Sequence, residues 1–574
     1  MPRCFLLLIS PRFLLAILLF QSLRDKATPK AVKKALDQLQ KQSTTVGEDQ
    51  KLQVLNRTYD EAMERIDGQM PGLRDLAKRV LSWITCARAP LKVLDLQHAL
   101  AVELDEEELD EENLPDPGVM VSVCAGLVTV DDESRIIRLV HYTTQEYFEQ
   151  TQARWFPDAQ LDMARTCTKY LAYEVFAGDP CQTLQEFTDQ LSHIPLYMYA
   201  AEYWAHHARN ADTDCEEVVT LLQLDAHIDS LFGRPYLRYE KSTKVRPRVP
   251  QEKFGGLHWA AKFGLQRALQ RLLTLPGSTN PDIRGPGDWT PLALAAENGH
   301  EGVVKLLLAT NNVDVNAAKY AGATPVHHAA EKGYEGVLQA LLAVATVDVN
   351  ARSFCGGSPL NLAAKAGHEG TVRMLLARSD VDVNLRDDVE RTALTYAAEE
   401  GHERVVRMLL DTNKVNVNIG NNAGCTPLIY AADSGHERVV RMLLDASEID
   451  VNLGDRQGRT PLIYAAEEGQ ERVVRMLLDV DEINVDLGDK LGRTPLSFAA
   501  QAGHQRVVRM LLATGRADVN AEDRDHWTPH RYAVASGDTA MAHLLRDYGA
   551  KDTGDDGFRF KNLHLRHSKT PFKR

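Results

Sequence analysis

The sequence predicts a mainly α protein: an amino-terminal module of short helices and one hairpin, then a solenoid of stacked helix pairs carrying β-hairpin fingers. Three observations support this. Thr290-Pro291-Leu292 returns every 34 residues, at Thr324, Ser358, Thr392, Thr426, Thr460, Thr494 and Thr528. A second beacon keeps the same beat, from Asp314-Val315-Asn316 through Asp348, Asp382, Asn416, Asp450 and Asn484 to Asp518-Val519-Asn520. Between the beacons, apolar residues fall at helical spacing. With a degenerate unit around Leu257-His258-Trp259-Ala260-Ala261, this makes about nine units over 255–550.

Each unit reads as two helices. Thr426 caps the first, whose opening turn tolerates Pro427, and Gly435 stops it. In His436 to Leu444, Val439, Val440, Leu443 and Leu444 share one face, and Glu437 with Arg441 is expected to form a solvent-side pair one turn apart. Neither helix can bury its stripe alone, so each unit needs its neighbours. The motifs T-P-L, A-A, G-H, V-V-x-x-L-L and D-V-N together resemble the ankyrin repeat over more than half of the chain. The units run one residue longer than the usual 33, with the extra residue placed before D-V-N. Ala393 replaces the proline and Glu390 the turn glycine of one unit, which predicts a looser hairpin there. The helices at 401–411 and 435–445 are identical, and 469–479 differs by one residue.

Ahead of the array, residues 30–69 read as a helical linker and 156–233 as a helical domain. Within 70–155, Leu73 to Ala87 and Val93 to Val102 read as helices, and 126–130 pairs with 136–140 across Asp131-Asp132-Glu133-Ser134. Three segments carry a second resemblance: Tyr59-Asp60-Glu61-Ala62-Met63-Glu64-Arg65-Ile66, Leu139 to Phe148, and Tyr199 to Arg209. They are similar to the winged-helix and helical segment after the NACHT domain of fungal NACHT–ankyrin receptors of the STAND class. The resemblance implies a winged-helix and helical module followed by an ankyrin α-solenoid. It also makes Arg12 to Leu19 similar to the last NACHT helix. No G-x-x-x-x-G-K-[ST] occurs and the dipeptide Gly-Lys is absent, so no nucleotide site, and no other cofactor, is assigned.

Composition bounds the rest. The 574 residues suggest three or four domains, with 44% hydrophobic and 25% charged residues. A net charge of -14 argues against a nucleic-acid coat, and the eight acids among Glu103–Glu112 would repel phosphate from the winged helix. Eight scattered cysteines without a C-x-x-C pair read as reduced thiols, which points to the cytoplasm, with the nucleus as alternative. Residues 1–29 are apolar but broken by Pro11 and Arg12; a NACHT remnant helix and a signal or anchor both stand as readings, and residues 1–23 are the one expected membrane contact. The segments 234–254 and 551–574 read as a basic linker and a basic tail.

No catalytic or metal constellation emerges. His300, His368, His402, His436 and His504 repeat at one position, but units stacked about 10 Å apart cannot share a zinc ion, so these are expected to hydrogen-bond between repeats. His327-His328 and Cys355 are expected on the array surface and its hairpin. The function implied is a non-enzymatic protein-interaction scaffold, alternatively a regulatory subunit of a separate nucleotide-binding or effector enzyme, or a membrane-anchored ankyrin protein. Its partner would dock in the concave groove. Trp289, Tyr320 and Phe354 are expected as aromatic fingertips and Arg391, Arg456, Arg459, Lys490, Arg493 and Arg524 as basic ones. Glu297, Glu331, Glu399, Glu400, Asp433, Glu467 and Glu468 form an acidic row suited to a basic segment of the partner.

Overall fold

A computed structural model describes residues 30, 48–173, 193–224, 254–275 and 280–551. Residues 1–29, most of 234–254 and the tail beyond 551 lie outside the described residues. Two compact units emerge, Met1–Asp314 and Val315–Arg574.

In the first unit, α1 (Glu48–Asp67), α2 (Pro71–Cys86), α3 (Val93–Ala101), α4 (Pro117–Ser122) and α5 (Tyr142–Trp155) surround a small sheet. Its strands β1 (Leu91–Lys92), β2 (Val128–Val130) and β3 (Ile136–Leu139) lie antiparallel in the order β1-β3-β2. The wing turn is fixed by Asp131, whose Oδ1 accepts from the Ser134 amide at 2.9 Å and hydroxyl at 2.8 Å. Strand β1 and helix α4, two and six residues long, are too short to show a period in the sequence.

The resemblance-bearing segments are structural clamps. Tyr59 is fully buried, with its hydroxyl 2.7 Å from Thr143 Oγ1, and Tyr147 donates to Asp60 at 2.7 Å. On α7 (Tyr197–Ala211), Tyr199 Oη lies 2.8 Å from His207 Nε2 and accepts the Arg88 amide. Burial then depresses the His207 imidazole to about 3, so it stays neutral at physiological pH. Helices α6 (Ala159–Ala172), α7 and α8 (Glu216–Gln223) pass this framework on to the first repeat, α9 (Gly256–Phe263) and α10 (Gln266–Thr274). Gly256 is obligatory there, because a Cβ would stand 2.1 Å from the Leu222 carbonyl oxygen. The unit ends with α11 (Pro291–Glu297) and α12 (Glu301–Leu308).

The second unit holds seven helix pairs: α13 (Pro325–Lys332) and α14 (Glu335–Leu342), α15 (Pro359–Ala366) and α16 (Glu369–Leu376), α17 (Ala393–Glu400) and α18 (Glu403–Leu410), α19 (Pro427–Ser434) and α20 (Glu437–Leu444). They continue as α21 (Pro461–Glu467) and α22 (Glu471–Leu478), α23 (Pro495–Ala502) and α24 (Gln505–Ala513), α25 (Pro529–Ala535) and α26 (Thr539–Asp547). First helices pack on first helices and second on second. Each opens as its sequence dictates: Thr426 Oγ1 accepts the Ile429 amide, and Gly435 closes α19 at φ +74.

Three devices join successive repeats. The turn histidines act as expected: His402 Nε2 donates to the Lys365 carbonyl at 3.0 Å, and His436 does the same to Glu399 and His504 to Glu467. The asparagine of each D-V-N clasps the next repeat. Asn452, for example, donates to the Glu482 carbonyl at 2.8 Å and accepts the Asn484 amide at 2.8 Å. On the second helices the expected Glu437–Arg441 pair does not form. Glu437 instead meets Arg472 of the following repeat at 3.1 Å, as Glu403 meets Arg438, because a side chain one repeat on faces the first-turn carboxylate directly. His327 and His328 are buried, not on the surface. His327 receives the Thr324 amide on Nδ1 and donates to the Gly357 carbonyl.

The fingers contain no strands; among the described residues, strands occur only in β1–β3. Five fingers are closed by one carboxylate or amide in place of a ladder, and in the finger of Phe354 the Ser353 hydroxyl donates to the Gly357 carbonyl at 3.1 Å instead. Asp455 Oδ1 accepts the amides of Gln457 and Arg459, both at 2.8 Å, and Asp387, Asn421, Asp489 and Asp523 repeat the motif. Glu390, in the position held by Gly322, Gly356, Gly424, Gly458 and Gly492, is forced to φ +62, as His526 is to φ +57 in the last repeat, yet Thr392 still caps α17.

Candidate protein-binding surface

Fingers in the second unit are held in register by one backbone bond each. Phe354 donates to Ala321 O at 2.7 Å, Arg456 to Ala423 O at 2.7 Å, Lys490 to Gln457 O at 2.7 Å and Arg524 to Leu491 O at 2.8 Å. Gly322 and Gly424 permit this approach: a Cβ on Gly424 would lie 2.7 Å from the Arg456 nitrogen. The result is a row of exposed tips, Tyr320, Phe354, Asp388, Asn422, Arg456, Lys490 and Arg524. Tyr320 is 85% and Phe354 77% exposed, so apolar rings meet water at one end and cations at the other.

Not every expected fingertip is a tip. Arg391, Arg459 and Arg493 sit at the finger base, immediately before the capping threonine, and serve as clamps. Their guanidinium carbons lie 4.3, 4.4 and 4.4 Å above the rings of Tyr396, Tyr464 and Phe498. Arg459 also pairs with Asp455 at 3.3 Å and Glu467 at 3.6 Å and is almost fully buried. Tyr396 and Tyr464 complete the clamp by donating to Asp387 and Asp455. Phe498 has no hydroxyl, and Arg493 takes Asp489 with two nitrogens instead. Trp289 occupies the same base position in the first unit. It is half-buried and its carbonyl accepts from His258, so it is not a tip either. The register alone could have revealed this, since Trp289 precedes Thr290 as Arg391 precedes Thr392.

The acidic row is also divided. Glu331, Glu400 and Glu468 are exposed, whereas Glu399, Asp433 and Glu467 are half-buried beside the clamps; Glu297 is half-buried in the first unit. Lys365 interrupts the row at its equivalent position, with Nζ 5.5 Å from the Tyr396 ring centre. Burial raises the Glu399 and Glu467 carboxyls, opposed by Arg391 and Arg459 respectively. Asp433 differs. Its finger has Cys425 where the fingers on either side have Arg391 and Arg459, and Asn421 where they have Asp387 and Asp455. Tyr430 there packs with Cys425, Ile429 and Tyr464, and Asp433 Oδ1 is buried with no hydrogen-bond partner. Burial, then Glu468 and Glu467, push this carboxyl up to about 6.

No grouping of histidine, cysteine and carboxylate suited to a metal is found among the described residues, nor any helix long and apolar enough to cross a membrane. Every residue of loop 103–108 in the winged-helix module is exposed.

Comparison with known proteins agrees with this architecture. The family described as ankyrin repeats matches residues 257–353, 341–421, 413–489 and 481–556. The family described as the winged helix domain of GPI inositol-deacylase matches residues 63–155, the segment clamped by Tyr59, Asp60 and Tyr147. A curated relative, azaphilone pigments biosynthesis cluster protein L of Monascus ruber, is 26% identical over 284 residues, covering 44% of this chain and 58% of that protein. The chain thus spans little more than half the length of the relative it matches. With ankyrin matches running over more than half of its length, on helix pairs joined by turn histidines and fingers, the chain belongs to the ankyrin-repeat family.

Proposed function

We propose that this protein is a non-enzymatic scaffold related to the post-NACHT part of NACHT–ankyrin receptors. In this reading it captures a protein partner on the fingertips and first-helix ends of residues 315–551. The observation carrying the reading is the registered row of tips, with Tyr320 and Phe354 largely exposed at one end and Arg456, Lys490 and Arg524 at the other. Exposed aromatics on a rigid frame lose little entropy on binding and make hot spots. Exposed Glu400 and Glu468 would steer a basic segment of the partner, chiefly through the association rate. Arg391, Arg459, Arg493, Glu399, Asp433 and Glu467 support the surface from below.

A second reading, a regulatory chain acting with a separate nucleotide-binding protein, is favoured by the winged-helix match at 63–155 in a sequence without a phosphate loop. Comparative capture by wild type and variants separates surface from scaffold. Tyr320→Ala with Phe354→Ala should weaken partner capture more than tenfold without shifting thermal unfolding. Glu400→Lys with Glu468→Lys should slow association in a salt-dependent way, and Arg407→Glu on α18 should change little. Loss of capture in the Arg407 variant alone would place the surface on the other face.

A further inference from the structure

The row of tips changes character along its length. In its first half the charge is settled within the row: Arg352 meets the tip Asp388 at 3.3 Å, and Arg386 meets Glu390 at 3.6 Å. Arg456, Lys490 and Arg524 are exposed and form no ion pair among the described residues. The acid preceding each of them is buried and spent inside its own finger. Asp455 accepts two amides on Oδ1 and Tyr464 with Arg459 on Oδ2. Asp489 accepts the Leu491 and Arg493 amides on Oδ1 and the Arg493 guanidinium on Oδ2. Asp523 accepts the Asp525 and Trp527 amides on Oδ1 and Tyr532 on Oδ2. The last repeat adds a fourth cation, because its clamp is reversed. Trp527 holds the finger base, and Arg531, from α25, lays its guanidinium carbon 4.8 Å from the ring centre. The clamp arginines Arg391, Arg459 and Arg493 meet carboxylates at 3.5, 3.3 and 2.7 Å, whereas Arg531 meets none among the described residues. A half-buried guanidinium steadied by a ring offers its planar fork to a carboxylate from outside.

We propose that Arg456, Lys490, Arg524 and Arg531 receive an extended acidic segment of the protein partner, with a carboxylate at every third residue. The inference rests on the proposed binding surface and names what its basic end reads. The tip amides of Arg456, Lys490 and Arg524 bond the preceding fingers at 2.7, 2.7 and 2.8 Å, so the three cations are held one repeat apart. That step is about 10 Å, and an extended chain covers it in about three residues at roughly 3.3 Å each. An acidic run repels itself and stays extended. Leu491, 49% exposed beside Lys490, suits an apolar side chain between two of the acids. Spaced carboxylates fit better than a phosphate chain. Glu522 and Asp525 are exposed on the finger of Arg524 and would repel a ligand charged at every nucleotide, whereas separate acids can pass between them. The steering acid Glu468 stands at the carboxyl end of α21 and Arg456 ahead of its amino end. A helix of that length rises roughly 10 Å, so the acids and the tip cations read separate stretches of the partner.

Fluorescence anisotropy on the full-length chain provides the test, with a fluorescein-labelled peptide of Glu-Leu-Ser triplets as the probe. Binding should be saturable at low salt. Arg456→Ala with Lys490→Ala and Arg524→Ala should weaken it at least tenfold without shifting thermal unfolding, since all three side chains are exposed. Arg531→Lys, which keeps the charge and removes the fork, should weaken it at least threefold, while Arg407→Lys should leave it unchanged. Lys490→Glu with Arg524→Glu should reject the probe and bind instead its counterpart with lysine in place of glutamate. A peptide of the same composition with its glutamates adjacent should bind at least fivefold more weakly. Equal binding by wild type and the triple-alanine chain, or equally tight binding of a thymidine oligonucleotide, overturns the inference. Equal binding of the clustered peptide overturns the extended spacing. If no acidic probe binds while the Tyr320 and Phe354 variants still lose their partner, the acidic-segment inference alone has failed and the surface stands.

Discussion

Replacing Asp486 with asparagine should strengthen the joint between two repeats. In the second unit Asn316, Asn350, Asn384, Asn418, Asn452 and Asn520 each donate to a backbone carbonyl of the next repeat and accept an amide from it. Asp486 holds the seventh place. It accepts the Asp518 amide with both oxygens, at 3.1 and 3.0 Å, but a carboxylate has no hydrogen to give. By the 34-residue register the unserved carbonyl is that of Arg516. Restoring one side-chain-to-backbone bond is worth about 0.5–1.5 kcal/mol. A gain of 1 kcal/mol raises Tm by about 2–4 °C in a domain of this size and slows local opening about fivefold.

The sign with pH follows from the carboxyl. Burial raises its pKa, the Asp518 amide opposes this, and the Asp518 charge raises it again. A raised carboxyl contributes stability below its unfolded value and loses it as pH rises through the folded one. The advantage of asparagine should therefore be full at neutral pH and shrink in acid, where protonated Asp486 can itself donate. Thermal unfolding and hydrogen exchange over 484–520, at pH 7 and near pH 4, measure this. Asn452→Asp is the reverse control and should cost a similar amount. A destabilising Asp486→Asn, or a neutral Asn452→Asp, would refute the view that the clasp couples repeats.

Glu390→Gly should stabilise by up to about 1 kcal/mol by releasing left-handed strain, visible as a higher unfolding temperature; a loss would show that the strain lies elsewhere. Gly401→Ala should cost more than 1 kcal/mol, because a Cβ there meets the His436 ring at 2.7 Å on a residue at φ +76. The Asp433 carboxyl, raised to about 6 by burial and then by Glu468 and Glu467 against Arg459, contributes stability in acid that is lost as pH rises through about 6. Protection of 425–440, corrected for intrinsic exchange, should fall between pH 5 and 7.5, and Asp433→Asn should flatten that change. Calorimetry with ATP should show no saturable micromolar binding, and such binding would contradict the scaffold reading.

The repeat architecture was legible because the chain states it many times. A 34-residue period, capping threonines, turn glycines and apolar faces are local features, and local physics decides them. The turn histidines were likewise readable, since a polar group recurring beside a helix end in five repeats has a fixed neighbour to bond. What the sequence could not reveal is where each polar side chain spends its hydrogen bonds across a repeat boundary. Glu437 has equally good one-dimensional partners in Arg441 and Arg472, and only the stack selects Arg472. Arg459 and Arg456 look alike as basic finger residues, yet three positions along the turn put one under an aromatic ring and leave the other in water. Asp433 differs from Glu399 by one methylene in sequence. Its unpaired burial arises from Cys425 eight residues earlier and from Glu467 and Glu468 one repeat later, a coincidence that exists only once the helices are packed.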